Sequence, residues 1–341
     1  MNLRLALLLA CLLLLVPACE RGKEKTPATP VRGTDVPEAV VTPPRPTITP
    51  ESTLAAATAT PRTATPQPSS TPTPEPRTDG LSFHFGPAVD DFDRSLIMRA
   101  VEVTRELLRD ESGVEPPAAV FADGSADKLA EAFAAGALAQ PWRADGMAER
   151  LSRTVAEANY RGIVINVGSA AWQSMEAPER LRAVAHEFVH VIQLEHAGLD
   201  VADETFGGPI SAVPPLGPFW LLEGSAEVVS WLVLQEVGLG SYADGLLNYA
   251  AAADPAAADL SQAEDFFAYV RGGGPVLGVS VLATDYLLRS RSLEGLFAFW
   301  TEIGRGARWQ TAFTRHFGLP LEFFYKAFAD YYEAIWAGFA K

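Results

Sequence analysis

Cysteine is nearly missing from this 341-residue chain: Cys11 and Cys19 are present and none follows. Beyond residue 19 there is therefore no disulfide framework, no cysteine nucleophile and no thiolate metal site. A folded region there must rest on its apolar core. The apolar run near the N-terminus, Leu5 to Val16, has only 12 residues, short of the ~20 that a membrane-spanning helix needs. Basic residues are in the minority, 27 against 42 acidic, for a formal net charge of −15. That balance opposes binding to nucleic acid and adsorption to anionic lipid. Methionine is scarce as well, and the last of the four is Met175.

Arg4 is the only charged side chain before Glu20, and Val16-Pro17-Ala18-Cys19 sets a small residue directly before a cysteine. This segment resembles a bacterial lipobox. The resemblance implies a signal peptide over residues 1–18, cleavage before Cys19 and lipid attached to Cys19. The protein would then be extracytoplasmic and anchored to a bacterial membrane through its N-terminal lipid, at the cell surface or the periplasmic face. An ordinary secretory signal cut nearby is the alternative. Half of the 26 prolines fall within residues 20–78, interleaved with threonine as in Thr71-Pro72-Thr73-Pro74. Proline fixes φ and removes donors, and the block holds little apolar material to bury. Residues 19–78 therefore read as a lipidated cysteine and a disordered tether, with a reach on the order of 40 Å. Residues 79–341 have globular composition and, at about 260 residues, suffice for one sizeable core.

Leu81 to Gly86, Ala118 to Ala122 and the β-branched Ile163 to Val167 read as strands. Asp90 to Arg109 carries Leu96, Ala100, Val103 and Leu107 at helical spacing, and Ser125 is placed to cap a helix running to about Leu138. Pro178 opens a helix that stops near Gly198. A proline- and glycine-rich loop then leads to Pro218. Helices follow at Phe219 to Val237, Val276 to Arg289, Leu293 to Ile303, Trp309 to Phe317 and Leu321 to Ala337. Strands first and helices after give an α+β class, with a sheet lobe over about 79–200 and a helical lobe over about 201–341.

His186-Glu187-Phe188-Val189-His190 reads H-E-x-x-H. On a helix, His186 and His190 stand one turn apart and face the same way, so both imidazoles can reach one Zn2+. Glu187 is turned one residue around the helix, where a carboxylate can act as general base beside the metal without ligating it. For a third ligand, His196 lies ten residues after His186, the metzincin spacing, but Gln193 occupies the place of the glycine that breaks the metzincin helix. No methionine follows to make a metzincin turn. An unbroken helix points His196 away from the metal face, so it reads as an exposed histidine suited to the helix C-terminus.

Downstream stands Trp220-Leu221-Leu222-Glu223-Gly224-Ser225-Ala226-Glu227. With the histidine motif, this segment resembles the W-x-x-E-G-x-A-E of gluzincin metallopeptidases, especially the aminopeptidase branch and bacterial peptidase MA-like proteins. The resemblance spans roughly residues 160–335. It implies a zincin-like domain, Zn2+ held by His186, His190 and Glu223, and zinc-dependent hydrolysis of peptide bonds in a peptide or protein substrate with Glu187 as base. Glu227, one turn beyond Glu223, is placed to accept the outer N–H of a ligating histidine. The amino-terminus-reading G-x-M-E-N segment of the aminopeptidases is not found, and no residue takes the oxyanion role, since Tyr269 reads as a core or loop residue. A lipid-anchored binding or adhesion module that keeps a structural zinc is the alternative.

Overall fold

A computed structural model describes residues 80–114, 118–134, 147–159, 162–198, 216–253 and 259–339. The expected signal segment, Cys19 and the tether lie outside them. Among the described residues, β1 (Ser82–Phe85), β2 (Ala119–Asp123), β3 (Ala156–Asn159) and β4 (Gly162–Asn166) form one sheet in the order β1-β2-β4-β3. β1, β2 and β4 are parallel, and β3 closes one edge antiparallel to β4. Every residue of β4 is buried, as its unbroken Ile-Val-Ile run requires when both faces of a strand are covered.

Five helices accompany the sheet among the described residues: α1 (Asp91–Ser112), α2 (Ala126–Ala134), α3 (Met147–Leu151), α4 (Ala170–Ser174) and α5 (Ala177–His196). Side chains alternate across the strands. Val120, Ile163 and Ile165 face the core shared with α1 and α5. Val164 faces Leu129 of α2 and Leu151 of α3. α5 starts where the sequence dictates, with a capping box between Glu176 and Glu179 and Pro178 in its first turn. Buried Asp93 of α1 fixes its direction by accepting from Trp172 Nε1 of α4 at 3.0 Å and from Arg180 Nη1 of α5 at 2.9 Å.

The described remainder is helical: α6 (Phe219–Glu236), α7 (Tyr242–Ala252), α8 (Phe266–Leu288), α9 (Leu293–Gly304), α10 (Trp309–Phe317) and α11 (Leu321–Phe339), with a short 3-10 turn at Leu260–Ala263. The class is thus mixed α+β. One apolar cluster runs through both parts, joining Ile97 of α1, Ile165 of β4, Phe188 of α5, Trp220 of α6 and Phe313 of α10. No helix among the described residues is long and apolar enough to cross a membrane.

Several elements differ from the sequence expectation, the short α3 and α4 among them, which were not assigned. β3 went unassigned because Ala-Glu-Ala-Asn carries none of the β-branched or aromatic residues that mark strands. α7 went unassigned as well: it is capped by Ser241 but holds Gly245, where a Cβ would lie 2.4 Å from the Trp231 ring. α8 starts ten residues before the expected Val276. Gly273 alone leaves the helical region, with φ 64° and ψ −152°, a conformation essentially reserved for glycine. The helix then resumes, with Pro275 in the first turn of the new segment, where a missing N–H costs little.

Gly224 of the E-G pair sets the distance between α6 and α8. A Cβ there would lie 2.4 Å from Thr284 Oγ1 and 2.5 Å from the Ser280 carbonyl oxygen. The second neighbour is backbone, so a side chain at 224 must push the helices apart. Gly224→Ala is expected to destabilise the fold by ~1–3 kcal/mol, read as a lower denaturation midpoint. An unchanged midpoint would show that α8 yields freely.

Candidate metal centre

α5 brings His186 and His190 to one face, and α6 brings Glu223 opposite them. His186 Nε2 lies 3.0 Å from His190 Nε2. Glu223 presents Oε2 at 3.4 Å from His186 Nε2 and Oε1 at 3.7 Å from His190 Nε2. The three residues form the one described group that can hold a metal ion. Ligands at ~2.0–2.1 Å from a tetrahedral ion stand roughly 3.3 Å apart, close to these spacings. The two rings meet edge to face, at 83°.

The tautomers follow from the buried partners. Gln193, fully buried on α5, donates its amide Nε2 to the Leu222 carbonyl at 3.1 Å and to Ser225 Oγ at 2.9 Å. Ser225 Oγ in turn donates to the Leu221 carbonyl at 2.6 Å. The amide is therefore held one way round, and its Oε1 accepts from His190 Nδ1 at 2.7 Å. On the other histidine, His186 Nδ1 lies 3.2 Å from Glu227 Oε1. Among the described residues neither atom has a hydrogen-bond partner elsewhere, and a carboxylate only accepts. Both Nδ1 atoms thus carry the proton, and both Nε2 atoms are left bare.

Two bare imidazole nitrogens and a carboxylate converge with no donor among them. Such a set calls for a cation at its centre. Without a metal, a proton takes that place. Burial depresses His186, but the Glu227 and Glu223 carboxylates overcome it and hold the ring at about 10. Burial likewise opposes ionisation of Glu223, and the two histidines win and hold its carboxyl at about 2. The arrangement therefore fits a divalent metal by the chemistry of its donors as well as by their spacing.

Glu187 sits beside this set and is itself buried. Burial pushes its carboxyl above the usual range against the pull of His186 and His190. Its carboxylate has no hydrogen-bond partner among the described residues, so both oxygens are free for a proton in transit. Glu227 is fully buried, and its Oε2 accepts from Arg182 Nη1 of α5 and from Tyr249 Oη of α7, the latter at 2.5 Å.

His196 corrects the sequence expectation. It is part-buried rather than exposed, stacked on Phe297 of α9 at 5.0 Å, with Nδ1 donating to Thr301 Oγ1 at 2.9 Å. Burial holds its pKa down to about 4, so at neutral pH it carries no charge for the helix dipole to favour. Its ring is turned to α9, away from the metal ligands. Tyr269 is a core residue, 2% exposed and packed on Phe219 at 5.0 Å.

Sequence reasoning placed His186, Glu187, His190, Glu223 and Glu227 here and gave no role in the site to Gln193, Ser225, Arg182 or Tyr249. Gln193 had a local signal, since i and i+3 share a helix face and its amide can meet His190. Arg182, one turn before His186, and Ser225, between Glu223 and Glu227, lie beside the motifs, but their partners Glu227 and Gln193 stand 32 or more residues away from them, and Tyr249 is 22 residues from Glu227, pairings beyond any spacing rule. Comparison with protein-family models, with curated proteins and with solved structures finds no match to this chain.

Proposed function

We propose that this chain is a zinc-dependent peptidase of gluzincin type, a zincin-like domain in the peptidase MA-like manner. The observation that carries the reading is the convergence of His186, His190 and Glu223 on one point with an uncommitted, buried Glu187 alongside. A structural zinc site has no use for that fourth group. The coarse architecture agrees, with a mixed sheet before the histidine helix and helices after it.

His186, His190 and Glu223 would hold the ion, and Zn2+ there supplies Lewis-acid chemistry that acidifies water toward neutrality and polarises a carbonyl. Gln193 and Glu227 hold the histidine rings in the ligating tautomer. Glu187 accepts a proton from the water that adds to the scissile carbonyl, then delivers it to the departing amine.

The test is zinc content by elemental analysis of the purified protein, together with cleavage of a diverse peptide library. One zinc per chain with cleavage lost on chelation is the expected result. Zinc without cleavage across the library would favour the binding-module alternative, and absence of zinc would sink both.

The N-terminal reading belongs to the same proposal: an enzyme exported and tethered through lipid at Cys19. Cys19→Ser is expected to give uncleaved or soluble protein in place of an acylated membrane form. A mature N-terminus that mass spectrometry finds unlipidated, and starting elsewhere, would refute it.

A further inference from the structure

The geometry points to Arg182 and Tyr249 as positioning residues that aim Glu227 at His186, so that α7, an element remote from the ligand motifs, governs metal affinity. This rests on the metal-centre reading. Glu227 has two oxygens with different duties. Oε2 is taken by Arg182 Nη1 and by Tyr249 Oη, the latter at 2.5 Å, and Arg182 Nη1 also reaches Tyr249 Oη at 3.2 Å. Among the described residues, Oε1 has no neighbour to satisfy it except His186 Nδ1 at 3.2 Å. Two donors on one oxygen stop the carboxylate from rotating, and the free oxygen is thereby reserved for the histidine.

Arg182 is itself held. It lies one helical turn before His186, and its guanidinium sits 5.6 Å over the Trp231 ring of α6. The Glu227 carboxylate and the Tyr249 hydroxyl overcome the cost of burial and hold Arg182 firmly charged. An ion pair with one partner fully buried and the other largely so is a poor stabiliser, because desolvation offsets its attraction and apolar side chains of equal volume serve as well. The need for a charged acceptor pointed at His186 explains why the triangle is polar.

α7 offers its own control. Tyr242 and Tyr249 are seven residues apart, two turns along one face. Tyr242 Oη donates to Asp285 of α8 at 2.8 Å, away from the ligands, whereas Tyr249 Oη donates to Glu227. Each substitution to phenylalanine removes one hydroxyl from the same helix and leaves the ring.

The experiment uses the full-length protein and its Tyr249→Phe, Arg182→Lys and Tyr242→Phe variants. Zinc affinity is measured by competition with a chromophoric chelator, cobalt(II) absorption reports ligand geometry, and thermal midpoints are taken on metal-free protein. Tyr249→Phe and Arg182→Lys are expected to bind zinc about 10–100-fold more weakly with altered cobalt spectra, and Tyr242→Phe to stay within about twofold of wild type. Arg182→Lys keeps the charge, so it carries the test if Tyr249→Phe fails to fold. Wild-type affinity and spectrum in both Arg182→Lys and Tyr249→Phe would overturn the inference alone. So would an equal loss in Tyr242→Phe, which would mean that any loosening of α7 weakens the site. A wild-type protein that binds neither zinc nor cobalt would overturn the metal-centre reading and this one with it.

Discussion

Glu187→Gln is expected to leave zinc bound and to slow peptide cleavage by about 10²–10⁴-fold, the usual contribution of a general base. The substitution is close to isosteric and keeps hydrogen-bonding capacity, so packing at this buried position changes little. What it removes is a carboxylate without a hydrogen-bond partner among the described residues. Burial raises its proton affinity while the neighbouring histidines lower it. The measurement is kcat/KM beside zinc content in the same preparation. Equal cleavage by wild type and Glu187→Gln would mean that the activity belongs to a contaminant or to other chemistry.

Glu223→Ala is expected to weaken zinc binding by more than the 10–100-fold that loss of a supporting partner costs, since it deletes a ligand outright. Two bare nitrogens 3.0 Å apart would remain, without the carboxylate that bridges them. His196→Ala should leave zinc affinity unchanged and lower only stability, by about 1–3 kcal/mol, through the lost stacking on Phe297 and the lost bond to Thr301. Chelator competition on both variants decides the matter. Zinc retained in Glu223→Ala and lost in His196→Ala would refute the gluzincin-type assignment.

The parts of the fold that were legible are those with local causes. β4 announces itself by β-branched residues in a row, and α5 by Pro178 in its first turn. α7 is held in shape by its neighbours. Gly245 is needed because Trp231 presses against it, yet glycine in a run of residues argues against helix when read alone. β3 pairs because β4 offers it an edge, and its alanines carry no preference of their own. The same division applies to the site. His186, Glu187 and His190 follow from helix period, and Glu223 and Glu227 follow from a motif. Tyr249 and Arg182 depend on how α5, α6 and α7 come together. His196 was misread because distance from the metal face was taken for exposure, while Phe297 and Thr301 of α9 cover it.

The ligands come from two helices on either side of residues 199–215, so an ion bound there is also a cross-link. Its hold on the native state follows mass action: each tenfold rise in free ion above the dissociation constant adds about 1.4 kcal/mol to folding stability. Because one apolar cluster runs through the strands and the later helices, that gain is felt by the folded region as a whole. The metal supply of the compartment would then set how long the chain survives as well as how fast it works, and starvation for the ion would be read first as degradation.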